Sequence, residues 1–126
     1  MSLFSEKKSV IELTPNNFDI KTKRIIHPAL SGRKGMVVFT CSWCGWCKKL
    51  VDSYSKTAYT LGSSFPMFNV DCVKYKDLAG KLGISGYPTI KYIDRSGKMY
   101  KDYTSSREFT GFIDDICKES KVCREM

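Results

Sequence analysis

The apolar positions divide the chain into short extended runs and two longer helical stripes. Met36-Val37-Val38-Phe39-Thr40 is a short apolar run rich in β-branched and aromatic residues, the pattern of a buried strand. It empties into Cys44-Gly45-Trp46-Cys47, after which Leu50, Val51, Tyr54, Ala58 and Leu61 share one helical stripe and Gly62 supplies a stop. Ahead of it, Val10-Ile11-Glu12-Leu13 reads as a short strand, and Thr14-Pro15 as the cap and first position of a short helix through Phe18. Lys21 to Lys34, broken by His27-Pro28 and Gly32, reads as a connection or a frayed helix.

Downstream, Met67-Phe68-Asn69-Val70-Asp71 predicts a second buried strand, followed by a short helix ending near Leu82-Gly83. Thr89 to Ile93 and Met99 to Tyr103 flank Asp94-Arg95-Ser96-Gly97-Lys98, the spacing of a β-hairpin. Ser105 and Glu108 have capping-box spacing and predict the start of a last helix that buries Phe109, Phe112, Ile113, Ile116 and Cys117. The predicted order is β-α-β-α-β-α-β-β-α, an α/β fold with a mixed central sheet and helices on both faces.

Composition narrows the class. At 126 residues, 42% hydrophobic and 13% aromatic, the chain fits one domain over 1–126, with a core of about 9–118 and a short C-terminal tail. No apolar run is long enough to span a membrane. Met1 to Ile20 lacks a secretory h-region, and Lys121 to Met126 carries no retention or prenylation signal, so a cytoplasmic protein is expected; an oxidising compartment is the alternative for a processed form. The net charge of +8 would suit an anionic partner, but the basic residues are scattered, with only short clusters at Lys21-Thr22-Lys23-Arg24 and Lys74-Tyr75-Lys76. A solvated basic surface on a monomer, with no nucleic-acid or membrane partner, is the expectation.

The six cysteines carry the chemistry, and three of them crowd into Cys41, Cys44 and Cys47. That crowding favours redox or metal chemistry over stapling. A helix N-terminus presents unpaired N–H groups and the positive end of its dipole, which stabilise a thiolate in the first turn. Cys44 is therefore the candidate nucleophile, and Cys47, one turn on, is placed to close a disulfide with it. Trp43 and Trp46 flank the pair and frame an apolar surface for a substrate.

The segments Trp43-Cys44-Gly45-Trp46-Cys47-Lys48, Val70-Asp71-Cys72, Gly83-Ile84-Ser85-Gly86-Tyr87-Pro88-Thr89-Ile90 and Tyr103-Thr104-Ser105-Ser106-Arg107-Glu108, together with Val10 to Phe18, resemble the thioredoxin superfamily. Within it they are most similar to the catalytic, a-type, domains of protein disulfide isomerases. The resemblance implies a thioredoxin fold and a thiol-disulfide oxidoreductase, with Cys44 attacking and Cys47 resolving. It implies that Pro88 is cis and that Tyr87 offers its backbone to an extended substrate beside Gly45, and it casts Arg107 as an assistant to the second thiolate. Disulfide- or dithiol-containing proteins and a recycling redox partner are the implied partners, and no cofactor is implied.

Three positions depart from the family pattern. Val38 stands where the family carries a buried carboxylate that takes the second cysteine's proton, Trp46 replaces the isomerases' histidine, and Cys41 replaces a small residue. The first predicts slow resolution of the mixed disulfide, and the second a pair less oxidising than a histidine-bearing one. Cys41 reads as a small buried hydrophobe, or else as a partner for an alternative disulfide or a metal. Cys72 is expected unpaired because Ala79 occupies the place of its usual partner, Cys117 is expected in the core, and Cys123 in adventitious intermolecular links. The lack of histidine leans toward reductase, while the similarity of the second half leans toward oxidation or isomerisation. Two rival readings are a redox-silent interaction module and a metal or iron-sulfur site on Cys41, Cys44 and Cys47.

Overall fold

The computed structural model describes residues 2–125. Its framework is a five-stranded sheet in the order β1 (Ile11–Glu12), β5 (Met67–Asp71), β4 (Gly35–Thr40), β6 (Thr89–Ile93) and β7 (Met99–Asp102). β1 and β4 run parallel to β5, while β6 runs antiparallel to both β4 and β7, so the sheet is mixed. β4 lies at the centre, and every one of its residues is buried.

The two-residue period of β4 sorts the core into two layers. Met36 and Val38 pack with Leu50, Tyr54, Ala58 and Leu61 of helix α1 (Gly45–Leu61) and with Phe112 and Ile116 of helix α3 (Phe109–Ser120). Val37 and Phe39 face the other layer, where helix α2 (Lys76–Lys81) contributes Leu78 and Ala79. The helices therefore cover both faces, as the chain's patterning predicts.

Tyr54 ties α1 to the sheet by more than packing. It is fully buried, and its hydroxyl donates to the Phe68 carbonyl at 2.7 Å. A phenol placed this deep must find an acceptor, and the β5 backbone provides it.

The region between β1 and β4 departs from expectation. The predicted first helix is a single 3₁₀ turn, Pro15–Asn17, closed by a capping box between Thr14 and Asn17. Phe18 then belongs to β2 (Phe18–Asp19), which pairs antiparallel with β3 (Arg24–Ile25) inside the stretch read as a connection or frayed helix. Strands of two residues are too short to show alternation; what holds the hairpin is tertiary. Phe18 and Ile25 are buried together, and the Ile25 N–H donates to the Gly97 carbonyl at 2.8 Å. Gly97 has φ +89°, and a Cβ there would run into the Ile25 carbonyl.

Two more expectations are corrected near the C-terminus. Ser105 does not cap α3: Glu108 is the N-cap residue, Ser106 Oγ accepts the Glu108 N–H at 3.1 Å, and Ser105 Oγ donates to Asp115 at 2.9 Å. Gly111 lets this loop lie against the first turn of α3, since a Cβ there would meet Ser106 at 2.5 Å. Cys117 and Cys123, read as a core residue and an adventitious thiol, form a disulfide with their Cα atoms 5.2 Å apart. Lys121, left-handed at φ 60°, folds the chain back over the end of α3, burying Val122 and bringing Cys123 to Cys117.

The Tyr54 bond gives a direct test of the α1–sheet junction. Tyr54→Phe is expected to lower unfolding stability by about 1–2 kcal/mol, read as a shift in denaturant midpoint at unchanged slope.

Candidate active site

β4 ends at Thr40, and the chain turns immediately: the Cys44 N–H donates to the Cys41 carbonyl at 3.2 Å, closing a turn over Cys41-Ser42-Trp43-Cys44. Cys44 is the N-cap residue of α1, and its sulfur accepts the Cys47 N–H at 3.3 Å. The cap is thus a thiol rather than a hydroxyl or carboxylate. A capping sulfur pointed at the helix N-terminus is stabilised as the anion.

The electrostatics follow this geometry. Burial works against ionising Cys44, but hydrogen bonds from the Cys47 thiol, from the N–H groups of Cys47 and Trp46, and from the Cys41 thiol outweigh it, and its pKa falls below that of an ordinary thiol. Cys47 moves the other way: burial and its hydrogen bond to Cys44 push it up to about 12. Cys41 is also raised, by burial and by the negative charge favoured at Cys44. Cys44 keeps 9% of its surface accessible, Cys41 2% and Cys47 none, so Cys44 is the most accessible of the three.

The opposing wall arrives from the loop before β6. Tyr87-Pro88 is a cis peptide, as the resemblance implies, and the Tyr87 carbonyl accepts from the Cys44 thiol at 3.4 Å. Tyr87 packs against the Cys41, Cys44 and Cys47 cluster, and the Cys72 thiol donates to the Val70 carbonyl at 3.6 Å. Burial and its Cys72 neighbour raise Tyr87 to about 12, and burial raises Cys72 to about 11, so both stay protonated near neutrality. Cys72 is a free thiol, as expected from Ala79.

Trp43 and Trp46 are 73% and 64% exposed on the rim, and Gly45 between them has open space where a side chain would stand. Lys49 Nζ sits 4.5 Å over the Trp46 ring. Trp46, Lys49, Thr104, Ser105 and Arg107 line a groove of about 450 Å³ that runs from the cysteine turn toward the start of α3. Arg107 lies in the exposed loop before α3 rather than in its first turn. Its carbonyl accepts from Ser53 Oγ at 2.6 Å, and its charge is felt by Tyr103; no ion pair fixes its guanidinium among the described residues. The structure thus unites Cys44, Cys47, Tyr87 and Pro88, and sets Arg107 on the groove wall.

One contributor, Leu3, escaped the sequence reading, and Cys41 takes the second of the two places open to it. Leu3 packs against the cysteine cluster, although the short Leu3-Phe4 pair between Ser2 and Ser5 has no periodicity to mark it. Cys41 joins the cluster: the sulfurs of Cys41, Cys44 and Cys47 all lie within 4.8 Å of one another, an arrangement that could hold a thiophilic metal. The repeated two-residue spacing between these cysteines was the available signal. His27 is engaged elsewhere, its ring 5.4 Å from Phe68 and its Nδ1 accepting the Ala29 N–H.

Residues 9–118 match the family model described as Thioredoxin. The chain belongs to the thioredoxin family. It is similar to protein disulfide isomerase-like 2-2 of Oryza sativa subsp. japonica, at 40% identity over 119 residues covering 90% of this chain and 30% of the relative. It is also similar to the probable protein disulfide-isomerase A4 of Caenorhabditis elegans, at 39% identity over 90% of this chain and 18% of the relative. The chain therefore spans less than a third of either of these relatives. Among solved structures, the J-Trx1 fragment of ERdj5 superposes with a TM-score of 0.77 at 19% identity, over 94% of this chain and 55% of that one. The first thioredoxin domain of mouse protein disulfide-isomerase A4 gives 0.67 at 29% identity, over 89% and 76%. The thioredoxin fold expected from the motifs is the fold observed.

The split among the thiols predicts the alkylation profile of the reduced protein. A lowered pKa keeps the thiolate populated to lower pH, so iodoacetamide should modify Cys44 first, with a midpoint below the ~8.5 of free cysteine. Cys47 should stay unmodified until the pH approaches its raised value of about 12. Peptide mapping against pH checks both, and equal rates at the two cysteines would contradict the assignment.

Proposed function

We propose that this domain exchanges disulfides with protein substrates through Cys44 and Cys47. The observation that carries this reading is the capping geometry, in which the sulfur of Cys44, the more accessible of the pair, receives the Cys47 N–H and has a depressed pKa, while fully buried Cys47 is held protonated. The Cys44 thiolate attacks a substrate disulfide, forming a mixed disulfide and releasing one substrate thiolate. A second protein thiol then attacks Cys44, freeing the other substrate sulfur and leaving the domain oxidised. Run backwards, the same steps donate a disulfide.

Substrate positioning rests on the exposed rim. Trp43 and Trp46 offer apolar surface, and the Tyr87 carbonyl beside Cys44 offers a backbone acceptor to an extended chain. Pro88 has no N–H to compete for that chain. The partners are proteins with accessible disulfides or dithiols, together with a redox protein that recycles the pair. The similarity to named disulfide isomerases supports this chemistry without choosing its direction.

Insulin reduction by dithiothreitol tests the function. Wild type should accelerate it and Cys44→Ser should return the rate to the uncatalysed level; indistinguishable rates would instead favour a redox-silent interaction module. The direction is read from the reduction potential in a glutathione buffer. Trp46→His places an imidazolium beside the Cys44 sulfur, stabilises the reduced form and should raise that potential by about 30 mV, a tenfold change in equilibrium constant.

A further inference from the structure

The thiol that conventionally would resolve the mixed disulfide is poorly placed to ionise. Cys47 is fully buried, and the position behind it that would hold a carboxylate is Val38, itself fully buried among Leu50, Tyr54 and Ile90. A thiol attacks as its thiolate, so a resolving sulfur without a proton acceptor is slow. Cys41 offers a second sulfur at the same target. It lies within 4.8 Å of Cys44 Sγ, and the hydrogen-bonded turn between the two residues holds their backbones at the separation a disulfide needs. Cys41 is also the less accessible of the two, 2% against 9% for Cys44, while Trp43 and Trp46 on the rim are exposed to an incoming substrate.

We propose that Cys41 is a second resolving thiol, which attacks Cys44 Sγ in the mixed disulfide and releases the substrate as a Cys41–Cys44 disulfide forms. This deepens the exchange function proposed above and rests on it. In the resting reduced site, the Cys41 thiol donates to Cys44 and is raised by burial, by the Cys44 charge and by that hydrogen bond. Forming the mixed disulfide abolishes the Cys44 charge, and with it the charge-based reasons for Cys41 to stay protonated. Burial still opposes the Cys41 thiolate, and the backbone N–H groups of Trp43 and Cys44, in the turn that follows it, lower the cost of its charge. Engagement of the substrate thus primes the resolving group.

The steps balance without an external oxidant or reductant. Cys44 takes one sulfur of the substrate disulfide and the first substrate thiolate leaves. Cys41 gives its proton to solvent and attacks Cys44, the Cys44–substrate bond breaks, and the second thiolate leaves; each leaving thiolate is protonated from water. Two protein thiols are oxidised, and one disulfide is reduced to two thiols. Cys47 then attacks Cys44 in the Cys41–Cys44 bond, its proton passing to the Cys41 thiolate that leaves, which gives Cys44–Cys47 and restores the Cys41 thiol.

Glutathione disulfide is the probe. The reduced full chain is mixed with it, quenched in acid at intervals and weighed intact, as wild type, Cys47→Ser, Cys41→Ser and the double variant. Cys47→Ser should lose its glutathione adduct and become lighter by two hydrogens, while Cys41→Ser/Cys47→Ser should hold its adduct about tenfold longer or more. In Cys47→Ser the new bond should map to Cys41–Cys44. Cys41→Ala replaces Cys41→Ser should the serine disturb the buried turn. Wild type needs no variant: in the peptide from Gly35 to Lys48, early time points should show Cys47 alkylated and Cys41 bonded to Cys44. An adduct equally persistent in Cys47→Ser and the double variant, a bond to Cys72, or no early Cys41–Cys44 species would overturn the role of Cys41 and leave exchange by Cys44 intact. Absence of any adduct on Cys44 would overturn both.

Discussion

The hydrogen bond from the Cys47 N–H to the Cys44 sulfur joins the fold to the chemistry. As a helix cap it satisfies one of the orphan donors at the start of α1, and as an electrostatic contact it lowers the cost of charge on that sulfur. The same interaction is therefore strengthened by ionisation. A serine cap would serve the helix equally well, but only a thiol turns the cap into a nucleophile near neutral pH.

The sheet decides where that cap points. β4 is buried along its whole length between β5 and β6, so its alternation is locked and its end is a fixed launching point. The β4–β6 pairing also sets the cis Tyr87-Pro88 peptide, just ahead of β6, opposite the turn that ends β4. Thr40 and Asn69, buried and hydrogen-bonded at 2.7 Å, fasten the end of β4 to the middle of β5 just before the cysteine turn. Loss of this side-chain bond would leave two polar groups unsatisfied in a dry region, so the polar pair favours this register.

Long periodic or apolar runs were legible in the chain: β4, β5, the stripe of α1 and the β6–β7 hairpin all stand where the pattern puts them. The β2–β3 hairpin was not, because Phe18 and Ile25 derive their strand pairing from Gly97, which lies far along the chain. The Cys117–Cys123 bond was hidden for a similar reason, since it depends on a left-handed Lys121 that sequence does not announce. At the site, Cys44, Cys47 and the cis proline followed from motif and resemblance. The position of Arg107 did not, because it depends on how a loop packs rather than on what it contains, and the spacing of Cys41 left its role open between a buried filler and a partner to Cys44.

Trp46 and Val38 remove two charged aids that the resemblance leads one to expect, yet Cys44 still carries a depressed pKa. The stabilisation comes from neutral donors: two backbone N–H groups and two thiols. Such donors act only at contact distance, so the charge is held locally and owes little to the basic surface. Charge on Cys44 in turn raises the cost of removing a proton from Cys41 or Cys47. A site of this kind holds a single negative charge until a substrate converts Cys44 into a neutral disulfide. Only then does the Cys44 contribution to keeping the neighbouring thiols protonated disappear, leaving burial as the remaining cost of their ionisation.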